Sequence, residues 1–190
     1  MHTPAEPTAA LAALIAGNQR HMDRRATGRA PTVSTRIPSP SARPFVVAVE
    51  LERLSDALPE LFDVSPEQVH SFVLAPGSGD IRSGRFEVMV ESEAALARLI
   101  DGSLDALGAP LVIVIGRLRR HSSTVEIAFR SVEDRCFGVL RQLLVESVGL
   151  VAAIQAGRIR VIGAIVDERD GRIHWLGEHP DQSMLLTASR

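Results

Sequence analysis

The sequence predicts an α/β fold with a mainly parallel central β-sheet flanked by helices. Short aliphatic runs alternate with longer stretches whose apolar residues recur at helical spacing. The most informative run is residues 111–115, five aliphatic residues closed by Gly116. Such a run is typical of a strand buried on both faces. Strands that alternate with helices favour a parallel sheet.

Residues 1–44 precede the predicted sheet. Apolar residues recur at helical spacing over residues 8–25, which predicts an amphipathic helix. Four prolines lie among serine, threonine and arginine in residues 28–44, which predicts an extended arm. A helix on such an arm buries its apolar stripe either by folding back on its own chain or by packing on a partner subunit. We favour the partner subunit.

Residues 45–176 are predicted to form the α/β domain. Its predicted strands are residues 45–49, 69–74, 85–90, 111–115 and 158–166, and residues 173–176 form a hairpin with the last of these. Helices are predicted at residues 91–107 and 122–156, the second broken near Gly138 or Gly149. The tail, residues 177–190, is expected to be loosely held.

The composition excludes several classes of function. Twenty-one basic and twenty-three acidic side chains give a net charge of -2, and aromatic residues are few, so we expect no nucleic-acid partner. Cys136 is the only cysteine, which excludes an intramolecular disulfide and any multi-cysteine metal site. The sequence shows no apolar run of the roughly 20 residues that cross a bilayer, and no signal peptide. We therefore expect a cytoplasmic protein without a membrane partner.

Basic side chains follow the most buried strand. Arg117, Arg119, Arg120 and His121 come directly after the aliphatic run and its glycine. In open α/β sheets, ligands bind beyond the carboxyl ends of the strands. Guanidinium groups suit planar anions and cannot ligate a metal cation, so this pattern indicates an anion pocket.

Several segments occur in the order found in the β-class carbonic anhydrases. They are Leu-Ile-Ala-Gly-Asn-Gln-Arg-His at 14–21, Arg-Pro-Phe-Val-Val-Ala at 43–48, Pro-Glu-Leu-Phe-Asp at 59–63, Val-Leu-Ala-Pro-Gly-Ser at 73–78, and the stretches 103–116 and 157–176. Together they resemble that family from about residue 11 to residue 176. The resemblance implies the family's α/β fold and a pocket at a dimer interface, hence a homodimer or a dimer of dimers.

The residues that hold zinc in that family are replaced. The Cys-x-Asp-x-Arg motif becomes residues 49–53, so that Val49 replaces the cysteine, Leu51 replaces the aspartate and Arg53 is retained. The His-x-x-Cys motif becomes residues 117–120, with Arg117 and Arg120 at the former ligand positions. The resemblance therefore implies no metal, no other cofactor and no CO₂ hydration.

Two interpretations of the altered site remain open. In the first, Glu50 or Glu52 pairs with the arginines and the cluster only holds the shape of a retired site; a one-residue register slip would aim both glutamates inward. In the second, Arg53, Arg117 and Arg120 bind a carboxylate, bicarbonate or phosphate, with Glu50 and Glu52 beside them. His121 is a weak candidate for acid–base catalysis.

Two functions are considered. The first is a zinc-free homologue that serves as a binding, regulatory or structural protein with an Arg-lined anion pocket. The alternative is an enzyme that uses the former site on a small anionic substrate, with arginine replacing the metal electrostatically. The first is favoured because the sequence shows no nucleophile with a base beside it, and whether the protein is an enzyme stays open.

The other candidates are weaker. Cys136 lies on the apolar face of a predicted helix and is expected to be a core residue. His21 is expected on a solvated helix face, and His174 and His179 flank the hairpin without a third ligand. The Gly-Ser-Gly stretch at 77–79 lacks the full pattern of a phosphate-binding loop.

Overall fold

A computed structural model describes residues 6–28, 44–54, 57–74, 87–119 and 125–188. Within these ranges the strands are β1 (Val46–Glu50), β2 (Val69–Leu74), β3 (Glu87–Val90), β4 (Leu111–Leu118), β5 (Arg160–Asp167) and β6 (Arg172–Gly177). They form one sheet in the order β3-β2-β1-β4-β5-β6. Neighbouring strands are parallel except β5 and β6, which form an antiparallel hairpin. The predicted α/β fold with its mainly parallel sheet is confirmed.

The helices flank this sheet. They are α1 (Pro7–Ala26), α2 (Leu58–Leu61), α3 (Glu93–Leu107), α4 (Val125–Glu146), α5 (Val148–Gln155) and α6 (Gln182–Ala188), with a 3-10 turn at Pro66–Gln68. The predicted long helical region is broken between α4 and α5. Ser147 stands at the break, and its side chain accepts a hydrogen bond from the backbone N–H of Leu150, which caps α5.

Each face of the sheet has its own apolar cluster. On one face, Val47, Val49 and Leu51 pack with the buried residues of α3, α4 and α5. On the other, Val46 and Ala48 pack with the buried residues of α1 and α2. The five residues 111–115 are all fully buried, because β4 lies at the centre of the sheet with helices over both faces. This confirms the prediction of a strand buried on both sides.

Helix α1 folds back on its own chain. Ala10 and Leu14 are fully buried in the second cluster. Gly17 lies against the backbone of Phe62, because a Cβ at this position would overlap the Phe62 carbonyl oxygen. His21 is 8% exposed, so its expected solvated position is wrong.

The Asn18 side chain fixes the position of this helix. Its amide nitrogen donates to the carbonyl oxygens of Leu61 at 3.1 Å and Gly171 at 2.8 Å, and its oxygen accepts from the Ile173 N–H at 3.1 Å. The prediction that the helix packs on a partner subunit is therefore wrong for its buried face. Contact between its exposed face and a partner stays a prediction, and residues 29–43 of the arm lie outside the described residues.

The segment after β6 is more ordered than expected. Helix α6 packs on α4, with Leu185 buried at 7% exposure. Gln155 donates from Nε2 to the carbonyl oxygen of Leu186 at 2.8 Å. The expectation of a loosely held tail is therefore wrong for residues 182–188, because the apolar side of this short helix packs on α4.

Among the described residues, none of the helices alone is long and apolar enough to cross a membrane. Helices α4 and α5 meet the same limits of length and composition only when they are taken together, and the two are bent by 94° from each other.

Candidate functional site

Charged residues from three neighbouring strands meet where these strands end, at the carboxyl-terminal edge of the sheet. Glu52 lies two residues after β1, Arg117 is the penultimate residue of β4, and Glu168 directly follows β5. These strands are adjacent and parallel, so their carboxyl ends lie side by side. This is the edge where α/β sheets bind ligands.

Arg117 is bracketed by two carboxylates. Its Nη2 lies 3.0 Å from Glu52 Oε2, and its Nη1 lies 3.0 Å from Glu168 Oε1. The Arg117 side chain is only 10% exposed, so its charge is largely removed from water. A buried charge is tolerated when it is paired, and here both ends of the guanidinium have an ionic partner.

Two further arginines reach the same carboxylate from the solvent side. Arg119 Nη2 lies 3.5 Å from Glu52 Oε2, and Arg135 Nη1 lies 3.9 Å from Glu52 Oε1. About half of each of these side chains is exposed. We call these five residues, Glu52, Arg117, Arg119, Arg135 and Glu168, the Arg117 cluster. Its three cations and two anions leave one positive charge in excess.

One donor of the cluster has no acceptor in the described part of the chain. Arg117 Nε is fully buried and makes no hydrogen bond to any described residue. A buried N–H without a partner costs about 1–3 kcal/mol. The positive charge of Arg117 is therefore balanced by two carboxylates, whereas one of its N–H donors has no acceptor among the described residues.

The predicted site residues are only partly brought together. Glu52 and Arg117 meet as expected. Glu50 is buried on the opposite side from Leu51, and its Oε2 accepts from the Leu54 N–H at 3.1 Å. Val49 and Leu51 stay in the apolar cluster under α3 and α4, so the register slip is not observed.

The remaining predicted residues lie elsewhere. Arg53 is exposed at the surface after β1. Arg120 and His121 lie outside the described residues, so the proposed role of each stays a prediction. His174 and His179 pack edge-on against Phe129 and Phe137, both on α4.

Sequence reasoning missed Glu168 and Arg135. A signal for Glu168 was present, because it lies just after the predicted strand at residues 158–166, which the structure pairs with β4. Arg135 lies on α4, and its Nη2 donates to the carbonyl oxygen of Leu51 at 3.5 Å. Helical periodicity alone does not show that this residue reaches the end of β1.

The donor set at this edge does not fit zinc. Val49 is aliphatic and fully buried, and Arg117 carries a permanent positive charge. The described residues include no group of three His, Cys, Asp or Glu side chains that could hold a metal ion. Zinc needs thiolate, neutral imidazole or carboxylate ligands at about 2.0–2.3 Å.

Cys136 does not supply a ligand or a nucleophile. Burial raises the pKa of its thiol to about 12, and the thiol donates to the carbonyl oxygen of Ala164 at 3.5 Å. A Cβ at Gly116 would lie 3.1 Å from its sulfur, which shows how closely α4 packs on β4. The expectation of a core cysteine is confirmed.

Comparison with known structures identifies the architecture. The β-carbonic anhydrase CafA of Aspergillus fumigatus superimposes with a TM-score of 0.58 and 16% identity, over 96% of this chain and 95% of that one. The chain has the β-carbonic anhydrase fold. The β-carbonic anhydrase of Coccomyxa, solved in complex with acetazolamide, gives a TM-score of 0.48 and 12% identity over 86% of this chain and 84% of that one. No family model and no curated protein matches the sequence.

The Arg117 cluster lies at the ends of β1 and β4, which carry the two segments that resemble zinc-binding motifs. Residues 117–120 correspond to His-x-x-Cys in that resemblance, and residues 49–53 to Cys-x-Asp-x-Arg. The ends of β4 and β1 do lie side by side, since Glu50 of β1 is opposite Ile115 of β4 in the parallel ladder. Of the three predicted former ligand positions, Arg117 belongs to the cluster, Val49 lies in the apolar core and Arg120 is outside the described residues, so replacement of the zinc ligands stays a prediction.

Proposed function

We propose that this protein is a zinc-free carbonic anhydrase homologue without CO₂ hydratase activity, which acts as a binding, regulatory or structural protein with an Arg-lined anion pocket. The observation that carries the proposal is the Arg117 guanidinium, held 3.0 Å from Glu52 on one side and from Glu168 on the other. A fixed cation at this place supplies positive charge to the ends of β1, β4 and β5. It cannot bind and polarise a water molecule as a metal does.

The chemistry of the surrounding side chains supports the same conclusion. Hydration of CO₂ at neutral pH depends on a metal-bound water whose pKa is lowered to about 7. The side chains that replace the metal ligands are valine and arginine, and neither type donates electron pairs to zinc. The two carboxylates of the cluster already accept ion pairs from Arg117, so they are not poised as a base beside a substrate.

Metal content and hydration activity test this proposal together. Protein purified without chelators and incubated with zinc is expected to carry far less than one zinc per chain and to leave the rate of CO₂ hydration at that of buffer. Metal is measured by mass spectrometry and hydration by stopped-flow pH indicator. Stoichiometric zinc with hydration above the buffer rate would contradict the proposal.

One observation favours the alternative enzyme function. Arg119 and Arg135 keep about half of their surface exposed beside Glu52, and the cluster has an excess positive charge. An anionic substrate at this rim would be stabilised electrostatically. Melting-temperature increases with acetate, bicarbonate or phosphate that disappear in Arg119→Gln, but persist in the exposed control Arg130→Gln, would place an anion at this rim. Chemical conversion of the bound anion would then favour the enzyme, whereas binding without conversion agrees with the leading proposal.

Self-association is part of the leading proposal. Helix α1 leaves Ile15 44% exposed in a depression that Ile173 and Trp175 of β6 also line, and a homodimer or a dimer of dimers would cover such a residue. Light scattering after size exclusion tests this, and a monomer at micromolar concentration would contradict it.

A further inference from the structure

A pocket lies on the α3–α4 side of the sheet, next to the Arg117 cluster, with which it shares Arg135. It has a volume of about 420 Å³ and opens beyond the ends of β1 and β2. Leu51 follows β1 and Leu74 ends β2, and both line the pocket together with Val139 of α4. These three side chains are each less than 9% exposed, so they form a fixed apolar floor.

The two walls of the pocket carry opposite charges. Arg135 stands on the α4 wall, and Glu91 and Glu93 stand on the other wall, at the start of α3. All three are exposed. The Arg135 guanidinium contacts Glu52 at 3.9 Å and the Leu51 carbonyl oxygen at 3.5 Å, and among the described residues these are its contacts. Most of its five N–H donors therefore have no acceptor within the described part of the chain.

We propose that this pocket binds a small zwitterion, namely an α-amino acid with an apolar side chain. The ligand carboxylate would pair with Arg135, since guanidinium binds carboxylate in a planar, bidentate way. The ligand ammonium group would face Glu91 and Glu93. The apolar side chain would lie on the leucine and valine floor, as is usual in small-molecule pockets.

The opposite charges exclude simpler ligands. A ligand with only a carboxylate would meet Arg135 but would also face two glutamates across the pocket. A ligand with only an amine would meet the glutamates and face Arg135. A zwitterion satisfies both walls, and unlike-charge complementarity of this kind determines specificity.

This inference goes beyond the proposed function, which needs neither the apolar floor nor the glutamates of α3. The pocket and the Arg117 cluster share Arg135, but Arg117 itself does not line the pocket and lies on the other face of the sheet, in line with Ile113 and Ile115. Amino-acid binding and zinc-dependent hydration are measured separately, so failure of one leaves the other intact.

Calorimetric titration with three probes tests the ligand class. L-leucine carries both charges, 4-methylpentanoate lacks the amine, and 3-methylbutylamine lacks the carboxylate. We expect L-leucine to bind at least about tenfold more tightly than either single-charge probe, because each charge contributes a charge-assisted hydrogen bond. Equal binding of 4-methylpentanoate, equal binding of the amine, or no binding of L-leucine would each overturn the proposal.

Matched variants test the position of the site. Arg135→Gln is expected to weaken L-leucine binding by about tenfold or more, whereas Arg130→Gln, on the same helix but outside the pocket, should leave binding unchanged. Gly138→Leu should abolish binding, because Gly138 lines the pocket and a Cβ there meets no atom within 4 Å, so that the new side chain enters open space.

Gly102→Leu is the control for the second variant. Gly102 is also inside a helix, with no atom within 4 Å of its Cβ position, but it does not line the pocket. Both leucine variants are expected to stay folded, since leucine has a higher helix propensity than glycine. Circular dichroism checks the fold. Loss of binding in Gly102→Leu, or retention in Gly138→Leu, would overturn the assignment.

Discussion

The molecule contains two ion clusters with opposite arrangements. In the Arg117 cluster, one guanidinium is held between the carboxylates of Glu52 and Glu168. At the turn after α2, one carboxylate, Asp63, is held between Arg20 at 2.5 Å and Arg24 at 2.8 Å. The central residue of the first is 10% exposed and that of the second is 21% exposed, while Arg20 itself is 48% exposed.

The difference shows how burial sets the role of an ion pair. Arg117 is largely shielded from water, so the two carboxylates are needed to offset the cost of burying its positive charge. Asp63 stays close to water, and its partners fasten α1 to the turn at little cost. Burial by itself would raise the pKa of Asp63, but the hydrogen bonds and charges of Arg24 and Arg20 together hold that pKa below its ordinary value of 3.8.

The largest effect is expected when both carboxylates around Arg117 are neutralised. Glu52→Gln combined with Glu168→Gln leaves a buried guanidinium without an ionic partner, which should lower the free energy of unfolding by about 3–5 kcal/mol. Urea unfolding measures this. Glu126→Gln, which removes an exposed pair with Arg130, should change it by less than about 0.5 kcal/mol. Equal losses of stability in the double variant and in Glu126→Gln would show that burial does not determine the contribution of these ion pairs.

A smaller effect is expected when α1 is displaced by sterics. Gly17→Ala places a methyl group on the Phe62 carbonyl oxygen, so the helix has to shift away from α2. Overpacking of this kind should cost about 1–3 kcal/mol. The control is Gly102→Ala, where the space is open and alanine should stabilise the helix by up to about 1 kcal/mol. Thermal unfolding of both variants checks the sign of each change.

The smallest effect concerns the charge of Asp63. Asn tolerates the left-handed backbone at this position (φ 51°), so Asp63→Asn removes the charge and leaves the turn intact. Because the folded-state pKa is lowered, the stabilisation is complete above the ordinary carboxyl pKa and is lost as the pH falls through the folded value.

The variant should therefore be less stable than the wild type by about 1 kcal/mol or less near pH 6. The difference should start to shrink as the pH falls below the ordinary carboxyl pKa of 3.8, and it should vanish once the pH is below the lower pKa of the folded protein. Urea unfolding across this pH range is the measurement. A gap that stays constant down to acid pH would mean that the ion pairs do not fasten the helix.

The fold could be predicted from the sequence because its strands are distinct runs of aliphatic and β-branched residues. Residues 111–115 form a continuous β-branched and aliphatic run, and Val69–Leu74 has the bounds that were predicted. Strand β4 extends beyond the predicted end because Arg117 and Leu118 pair with Val166 and Asp167 of β5. Backbone hydrogen bonds to the neighbouring strand keep Arg117 in β4. The pattern of apolar residues does not reveal such bonds, so it ends the strand too early.

The site was accessible only in part. Arg117 and Glu52 each follow a predicted strand and belong to segments that the resemblance places at one site, so their meeting was predicted. Arg135 belongs to a helix whose rotation relative to the sheet is set by core packing, including the close contact of Cys136 with Gly116. The direction of α1 was also missed, because the three bonds of Asn18 involve residues that no local pattern links to it.

Those bonds of Asn18 bear on the order in which the chain acquires its structure. The residue that accepts from its amide on the hairpin is 153 positions later in the sequence. Contacts of such large sequence separation form slowly, since a long loop has to close first. During synthesis, the first helix emerges from the ribosome well before its docking surface exists. We therefore expect α1 to dock late, with its apolar side exposed to chaperones until the last two strands have paired.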